Sequence, residues 1–253
     1  MTCSRLKKIS IALILFWFPT RYVCSILRIF GCPIHSDSKI GFSWIWCDHF
    51  AIQRAVVIGH LNLIAVPRMY LQTSASIGHL NWVVGPFRLM LGHRAAIGNK
   101  NQITRGPHGV TTGFSILKLG QVAKITTQHK VDCTQSVKLG DFTTIAGQGS
   151  QLWTHGYIHE MEGINRYRID GRILIDKNVY VGSSCIISMG VKIGRGVIIG
   201  SGATVAKSII EPGLYVSAPL RRLDRPLSPM TRNDLQQLTD VSLCEPVYIK
   251  KPT

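Results

Sequence analysis

An aliphatic residue recurs at every sixth position in the second half of this chain, and this period restricts the fold more than any other feature. The positions in this register are Ile175, Val181, Ile187, Ile193, Ile199 and Val205. An amphipathic helix needs spacings of three and four, and a half-buried strand needs a spacing of two, so neither explains the pattern. A hexapeptide period predicts a parallel β-helix, in which three hexapeptides complete one triangular coil and the coils stack on one another.

The same register, with shifts, extends upstream to about residue 38. Aliphatic residues followed by a small residue recur there, as in Ile40-Gly41, Ile58-Gly59, Ile77-Gly78, Ile97-Gly98 and Leu139-Gly140. The small residue is expected to let the chain turn, and the shifts predict short insertions at the corners of the coils. We therefore predict an all-β domain over residues 36–218.

One interruption of the period is much longer than the others. Residues 154–172 are polar and aromatic and do not follow the register, which resumes at Ile175. The sequence therefore predicts a loop that protrudes from the coils, and such loops often carry function.

The first 35 residues have a different character from the rest. Arg5, Lys7 and Lys8 precede an apolar run over residues 9–18, which Pro19 ends. The run is too short to span about 30 Å of hydrocarbon, and no small-residue cleavage site follows it. Two interpretations stay open: a helix lying in an anionic membrane interface, or a helix packed over the end of the fold.

Composition narrows the remaining classes. The 253 residues are 45% hydrophobic and 17% charged, which excludes a wholly disordered chain, and the net charge of +16 favours anionic partners. Nucleic-acid binding lacks a supporting motif. Seven cysteines without a CxxC pair predict reduced thiols in a cytoplasmic protein, with no structural zinc. Residues 219–253 form a basic C-terminal segment, with a short helix predicted over 233–239.

Three segments resemble one known family. They are the histidine-bearing loop Thr154–Glu160, the stretch Ile173–Gly182, and the coils from Gly190 through Gly202 to Ala218-Pro219-Leu220-Arg221. Together they resemble the hexapeptide-repeat (left-handed β-helix) acyltransferases, in the sugar and galactoside O-acetyltransferase-like branch. The resemblance is specific over residues 139–222 and absent from the first 35.

The resemblance implies a left-handed β-helix, a homotrimer, and acetyl-coenzyme A as acyl donor with no metal. It implies that His155 is the general base, with Asp141 as the carboxylate that orients it. Acyl transfer to a hydroxyl needs such a base, and histidine titrates in the useful range. The residues implied to contact the donor are Ser183, Ser201, Lys207 and Arg221. Those expected to contact the acceptor are His159, Glu160, Arg166, Arg168 and His129.

The expected function is acetyl-coenzyme A-dependent O-acetylation of a sugar in a surface polysaccharide or its lipid-linked precursor. The alternatives are N-acetylation of an amino-sugar nucleotide and a non-catalytic β-helix scaffold at the membrane. A zinc site of the γ-class carbonic anhydrase type, using His129, His155 and His159, is disfavoured because the histidine spacing differs.

Overall fold

Short parallel strands stacked in three sheets make up the body of the molecule. The computed structural model describes residues 5–18, 20–29, 31–107, 113–159, 161, 166–217, 221–223, 235–237 and 248–250. These residues form a left-handed parallel β-helix of about eight coils. The fold class predicted from the hexapeptide period is therefore confirmed.

Each of the first seven coils contributes one strand to each of three faces, and the eighth contributes strands to two of them. The first four coils contain β1 (Lys39–Ile40), β2 (Trp44–Trp46), β3 (His49–Ile52), β4 (Val57–Ile58), β5 (Leu63–Ala65), β6 (Arg68–Leu71), β7 (Ser76–Ile77), β8 (Trp82–Val84), β9 (Phe87–Leu91), β10 (Ala96–Ile97), β11 (Gln102–Thr104) and β12 (Ser115–Leu119). The later coils contain β13 (Lys124–Thr127), β14 (Lys130–Asp132), β15 (Val137–Leu139), β16 (Thr144–Gln148), β17 (Gln151–Leu152), β18 (His155–His159), β19 (Arg166–Asp170), β20 (Ile173–Ile175), β21 (Tyr180–Val181), β22 (Ile186–Ile187), β23 (Lys192–Ile193), β24 (Val197–Ile199), β25 (Thr204–Val205) and β26 (Gly213–Val216). We call the face that begins with β1 the first, that with β2 the second and that with β3 the third; β18 and β19 belong to none of them.

Strand register confirms the period residue by residue. Ile175 lies opposite Ile193 on the next coil, eighteen residues later, so three hexapeptides complete one coil there. In an earlier coil Ser76 lies opposite Ala96, twenty residues later. The additional residues lie at the corners, as the register shifts in the sequence predict.

The aliphatic residue of each hexapeptide points into one continuous core. Ile187 and Ile199, for example, have no exposed surface. The glycine that follows such a residue is required by the neighbouring coil, because a Cβ on Gly59 would lie 2.5 Å from the carbonyl oxygen of Gly78. Five described cysteines are also buried and are not in disulfides: Cys24, Cys32, Cys47, Cys133 and Cys185.

A column of hydrogen-bonded polar side chains also runs through the interior. We call it the interior polar ladder, and its members are Ser43, Asn62, Asn81, Asn101, His129 and Ser150. Asn81 donates from Nδ2 to Asn62 Oδ1 at 2.9 Å, and its own Oδ1 accepts the backbone N–H of Asn101 at 2.9 Å. Each member thus satisfies a buried group of an adjacent coil, as buried polar groups require.

Two helices cover the N-terminal end of the coils. Helix α1 (Arg5–Trp17) lies against β2, and helix α2 (Thr20–Ile29) lies against β1. Ile34 then forms a bridge to Ile52 on the third face, so the three elements take the place of one further coil. Neither helix, in the part of the chain that the structure describes, is long and apolar enough to cross a membrane.

The chain after the last coil is described only in short pieces. Strand β26 continues the first face, and β27 (Arg221–Leu223) pairs with it in antiparallel orientation. Strands β28 (Leu235–Gln237) and β29 (Tyr248–Lys250) pair with each other. The short helix predicted over 233–239 is wrong, because its central residues form β28.

Asn81→Ala is expected to destabilise the β-helix strongly. The substitution leaves the buried N–H of Asn101 without its acceptor and the carbonyl oxygen of Gly98 without its side-chain donor, which costs about 2–4 kcal/mol. Chemical denaturation followed by circular dichroism measures the shift of the unfolding midpoint. Asn99→Ala is the matched control, because Asn99 accepts the N–H of His79 at an exposed corner where water can replace it. Equal losses for the two variants would contradict the role assigned to the ladder.

Candidate active site

A two-stranded hairpin leaves the sixth coil at the corner between the second and third faces. Strands β18 and β19 pair in antiparallel register from His155 opposite Asp170 to His159 opposite Arg166. The N–H of Gly171 donates to the carbonyl oxygen of Thr154 at 2.8 Å, which closes the base of the hairpin. The interruption of the period over 154–172 is therefore an ordered arm whose two ends meet at one corner.

His155 is the first residue of this arm, and it contacts a carboxylate from the coil below. Its Nδ1 lies 2.8 Å from Asp132 Oδ2. The His155 side chain is 27% exposed and the Asp132 side chain 7% exposed. A partly accessible imidazole thus rests on a buried acid.

Asp132 is held by several donors besides His155. Its Oδ1 accepts the N–H of Thr134 at 3.1 Å and the Thr134 hydroxyl at 2.7 Å. Its Oδ2 accepts the N–H of Thr154 at 3.0 Å and also the Thr154 hydroxyl. Burial by itself would raise the pKa of Asp132. The hydrogen bonds from Thr154, Thr134 and His155 outweigh burial, so the pKa of this carboxyl lies below its ordinary value.

This arrangement fixes the protonation pattern of the imidazole. An ionised carboxylate at Nδ1 accepts a hydrogen bond from the protonated Nδ1, so the neutral ring carries its lone pair on Nε2. The same carboxylate stabilises the imidazolium that forms when Nε2 takes up a proton. His155 and Asp132 together form a dyad that can remove a proton from a hydroxyl or an amine.

Two aromatic rings contact the imidazole of the dyad. The rings of Trp153 and Tyr157 meet the imidazole of His155 edge-on, with centroid distances of 6.2 and 6.4 Å. Arg168 positions Tyr157, since its Nη1 donates to the phenol oxygen at 3.1 Å while its Nε donates to Asp170 at 2.7 Å. Beside the dyad is a shallow groove of about 120 Å³. It is lined by Gln102, Thr104, Lys130, Val131, Asp132 and Trp153.

Asp141, the expected partner of His155, lies elsewhere. It occupies the corner between the third and first faces, and its Oδ1 accepts the N–H of Gln121 at 2.7 Å. The structure corrects this assignment, because Asp132 is the carboxylate that meets the imidazole. Asp132 directly follows a stacked position, as Val131 lies opposite Leu152, so a correct register could have found it. The carboxylate that the resemblance implies therefore lies at a different corner from the imidazole.

His129, expected to contact the acceptor, is inside the coils. It has no exposed surface and belongs to the interior polar ladder. Its Nδ1 accepts the N–H of Ser150 at 3.1 Å and its Nε2 lies 3.0 Å from the Thr126 hydroxyl oxygen. Burial lowers its pKa. The acceptor assignment for His129 is therefore corrected: its Nδ1 bonds within the ladder and its Nε2 contacts Thr126.

The residues expected to contact the donor fall into two groups. Ser183 and Ser201 are stacked at the corner between the first and second faces, where the N–H of Ser183 donates to Ser201 Oγ at 3.2 Å. Lys207 is exposed at the corner that also carries His155, two coils further on, which corresponds to about 10 Å of rise. The second face lies between these two groups.

The remaining candidates are only partly described. His159 is exposed on β18, two positions beyond Tyr157 on the same side of the arm. The backbones of Arg166 and Arg221 belong to β19 and β27, respectively. Glu160 lies outside the described residues. Among the described residues, no three His, Cys, Asp or Glu side chains stand together in a way that could hold a metal ion.

Comparisons with known proteins find similarity at the level of structure. No protein-family model and no curated protein matches the chain. Similar solved structures include a hexapeptide-repeat-containing acetyltransferase from Vibrio cholerae O1 biovar eltor, in complex with acetyl-coenzyme A. The two chains are 20% identical with a TM-score of 0.44, over 54% of this chain and 70% of that one.

Two further structures are similar. A mutant of AntD, an N-acyltransferase from Bacillus cereus in complex with dTDP and coenzyme A, is 16% identical with a TM-score of 0.46, over 68% of this chain and 84% of that one. The polySia-specific acetyltransferase NeuO is 19% identical with a TM-score of 0.43, over 75% of this chain and 82% of that one. The likeness is one of fold. The strand pairing described above establishes the same architecture independently.

Asp132→Asn is expected to weaken the fold in a pH-dependent way. Because the folded-state pKa is depressed, the stabilisation is complete above the unfolded pKa of about 4 and disappears as the pH falls through the folded value. The variant should be less stable than the parent by about 1–3 kcal/mol at neutral pH, and the difference should shrink towards pH 3. Urea unfolding at a series of pH values measures this. Asp141→Asn controls for the change in net charge, and a difference that grows on acidification would contradict the assignment.

Proposed function

We propose that this protein is an acetyl-coenzyme A-dependent O-acetyltransferase. Its acceptor is a sugar of a surface polysaccharide or of the lipid-linked precursor of one. His155 is the general base, and Asp132 is the residue that positions it. The dyad at the base of the arm is the observation that carries this proposal.

The dyad supports a catalytic role because its geometry is that of an oriented base. A histidine serving only the fold would be satisfied on both nitrogens, as His129 is. His155 is partly accessible and is held by the contact between its Nδ1 and Asp132 Oδ2. A buried carboxylate with four further donors holds it in one tautomer, and such pre-positioning is what proton transfer requires.

The proposed reaction uses the lone pair on Nε2 of His155. Nε2 of His155 removes the proton of the acceptor hydroxyl as the oxygen attacks the thioester carbonyl carbon. A C–O bond forms, and the carbonyl oxygen becomes an oxyanion in the tetrahedral intermediate. Collapse of the intermediate breaks the C–S bond, and the imidazolium returns its proton to the departing thiolate of coenzyme A. The products are the acetyl ester and free coenzyme A.

The walls of the site support a sugar as acceptor. Trp153 and Tyr157 are 39% and 49% exposed, and their rings flank the imidazole. Aromatic rings offer flat apolar surfaces on which the C–H face of a sugar can pack, while its hydroxyls reach polar groups. Arg168 and His159 lie on the same side of the arm as Tyr157 and are the proposed polar contacts. Glu160 and Arg166 are also proposed to contact the acceptor, on the basis of the resemblance alone.

The donor site is proposed from the resemblance together with the positions of its residues. Lys207 lies at the corner that carries His155, and an exposed ammonium there suits the phosphates of coenzyme A. Ser183 and Ser201 are stacked at the neighbouring corner and are proposed to meet the pantetheine arm, with Arg221 close to the phosphates. We propose a homotrimer in which these two groups of residues face one another across subunits.

N-acetylation of an amino-sugar nucleotide needs the same dyad, because Nε2 could equally take a proton from an amine. The acceptor therefore distinguishes the two reactions. Incubation with labelled acetyl-coenzyme A and either glycans or amino-sugar nucleotides, followed by mass spectrometry of the products, identifies the acetylated atom. A non-catalytic scaffold would release no coenzyme A with any acceptor.

His155→Ala is expected to lower kcat by about 10²–10⁴-fold, because the hydroxyl loses its base. Asp132→Asn should lower kcat by about 10²-fold or more, because the ring loses its preferred tautomer. Release of the coenzyme A thiol measures both rates. Thermal unfolding must show that each variant is folded at the assay temperature.

His93→Ala is the matched control, since it removes a histidine at a corner remote from the arm. His159→Ala separates binding from catalysis: we expect a higher KM for the acceptor with kcat retained. Equal turnover by folded His155→Ala would refute the assignment of the base, and loss of kcat confined to His159→Ala would transfer it to that residue.

A further inference from the structure

Helix α1 is apolar on two opposite sides. Ile11 and Leu15 on its inner side are buried, where they cover the end of the coils. A second set on the outer side remains accessible at spacings of three and four. We call this set the outer face of α1, and its members are Leu6, Ile9, Leu13, Phe16 and Trp17. The helix therefore covers the end of the coils with one apolar side and leaves its other apolar side exposed.

The exposure of the outer face is large for a helix of thirteen residues. Leu6 is 78% exposed and Trp17 is 72% exposed, and Phe18 directly after the helix is 46% exposed. Since α1 takes the place of a further coil, this face forms part of the N-terminal end of the β-helix. A contiguous exposed apolar patch of this kind indicates a surface that binds another protein or a membrane.

The charge around the outer face of α1 favours one of these two kinds of partner. The first 36 residues contain five Lys and Arg residues and no Asp or Glu. Arg5 and Arg28 are exposed, at the start of α1 and near the end of α2. The first acidic residue of the chain, Asp37, already accepts the N–H of Ala55 and a hydrogen bond from Arg54. A second copy of this end would meet it with the same positive charge, whereas an anionic lipid surface complements it.

We propose that the outer face of α1 docks in the interface of an anionic bilayer. The helix lies in the plane of the membrane, with the side chains of Leu6, Leu13 and Trp17 below the headgroups and those of Arg5 and Arg28 at phosphate level. Tryptophan favours this depth, and a short cationic helix with an apolar side is typical of interfacial binding. This inference extends beyond acetyl transfer and does not depend on it.

Vesicle flotation with the full chain tests the docking. The protein should float with vesicles containing phosphatidylglycerol, and binding should weaken with pure phosphatidylcholine and with added salt. Leu13→Gln combined with Trp17→Gln should reduce partitioning about tenfold or more, because two apolar side chains lose their burial. Arg5→Gln combined with Arg28→Gln should reduce it about tenfold on anionic vesicles and little on neutral ones.

Matched variants on the coils supply the controls. Leu61→Gln with Leu80→Gln removes two exposed leucines at coil corners, and Lys118→Gln with Lys138→Gln removes two exposed charges from the third face. Both should bind vesicles like the parent chain. If the apolar pair on α1 fails to fold, the arginine pair decides the question alone.

Two results would overturn the proposal. One is vesicle binding that the α1 variants leave unchanged. The other is a change of mass in solution for the apolar pair on α1, seen by light scattering, without a change in vesicle binding; this would make the face a contact between copies of the chain. Because no measurement uses the acetyl-transfer reaction, failure of the docking and failure of the proposed function are separate outcomes.

Discussion

Stacking of one coil directly on the next, at about 4.8 Å, is the constraint on which the rest of this structure depends. Each residue lies directly against the residue at the equivalent position of the adjacent coil, so every position must accommodate that neighbour. Aliphatic side chains meet that condition by packing, as Ile175 does on Ile193. Glycines meet it by leaving room for the neighbouring backbone, as Gly59 does below Gly78. Asparagines meet it by donating to one neighbour and accepting from the other.

The candidate site is built from the same stacking. Asp132 ends a strand of the second face, and His155 begins the arm one coil later, so the register of two coils brings acid and imidazole together. The arm adds what a regular coil cannot provide, namely a partly exposed imidazole with the ring of Tyr157 next to it. Its base is fixed by the hydrogen bond between Gly171 and Thr154. A rigid scaffold therefore sets the position of the proposed base.

The sequence allowed the fold and the arm to be predicted because both depend on a period and its interruption. Partners across coils were harder to predict. The separation of paired residues on successive coils varies, from eighteen between Ile175 and Ile193 to twenty-eight between Ile103 and Val131. A fixed period therefore does not show that Asp132 lies beside His155 or that His129 is buried. The N-terminal helix left two interpretations open because an apolar sequence does not show which side of the helix packs against the protein. In α1 one side packs against the coils and the other is exposed.

The coil count has a consequence for the acceptor if the N-terminal end rests on a lipid surface. His155 belongs to the sixth coil and the capping helices lie below the first. Five steps of about 4.8 Å separate these coils, or about 24 Å. The β-helix then holds the imidazole of His155 at a fixed height above the lipid surface. A glycan still attached to its lipid would be modified at a sugar several units away from the anchor, and adding or removing one coil would move the modified position along the chain.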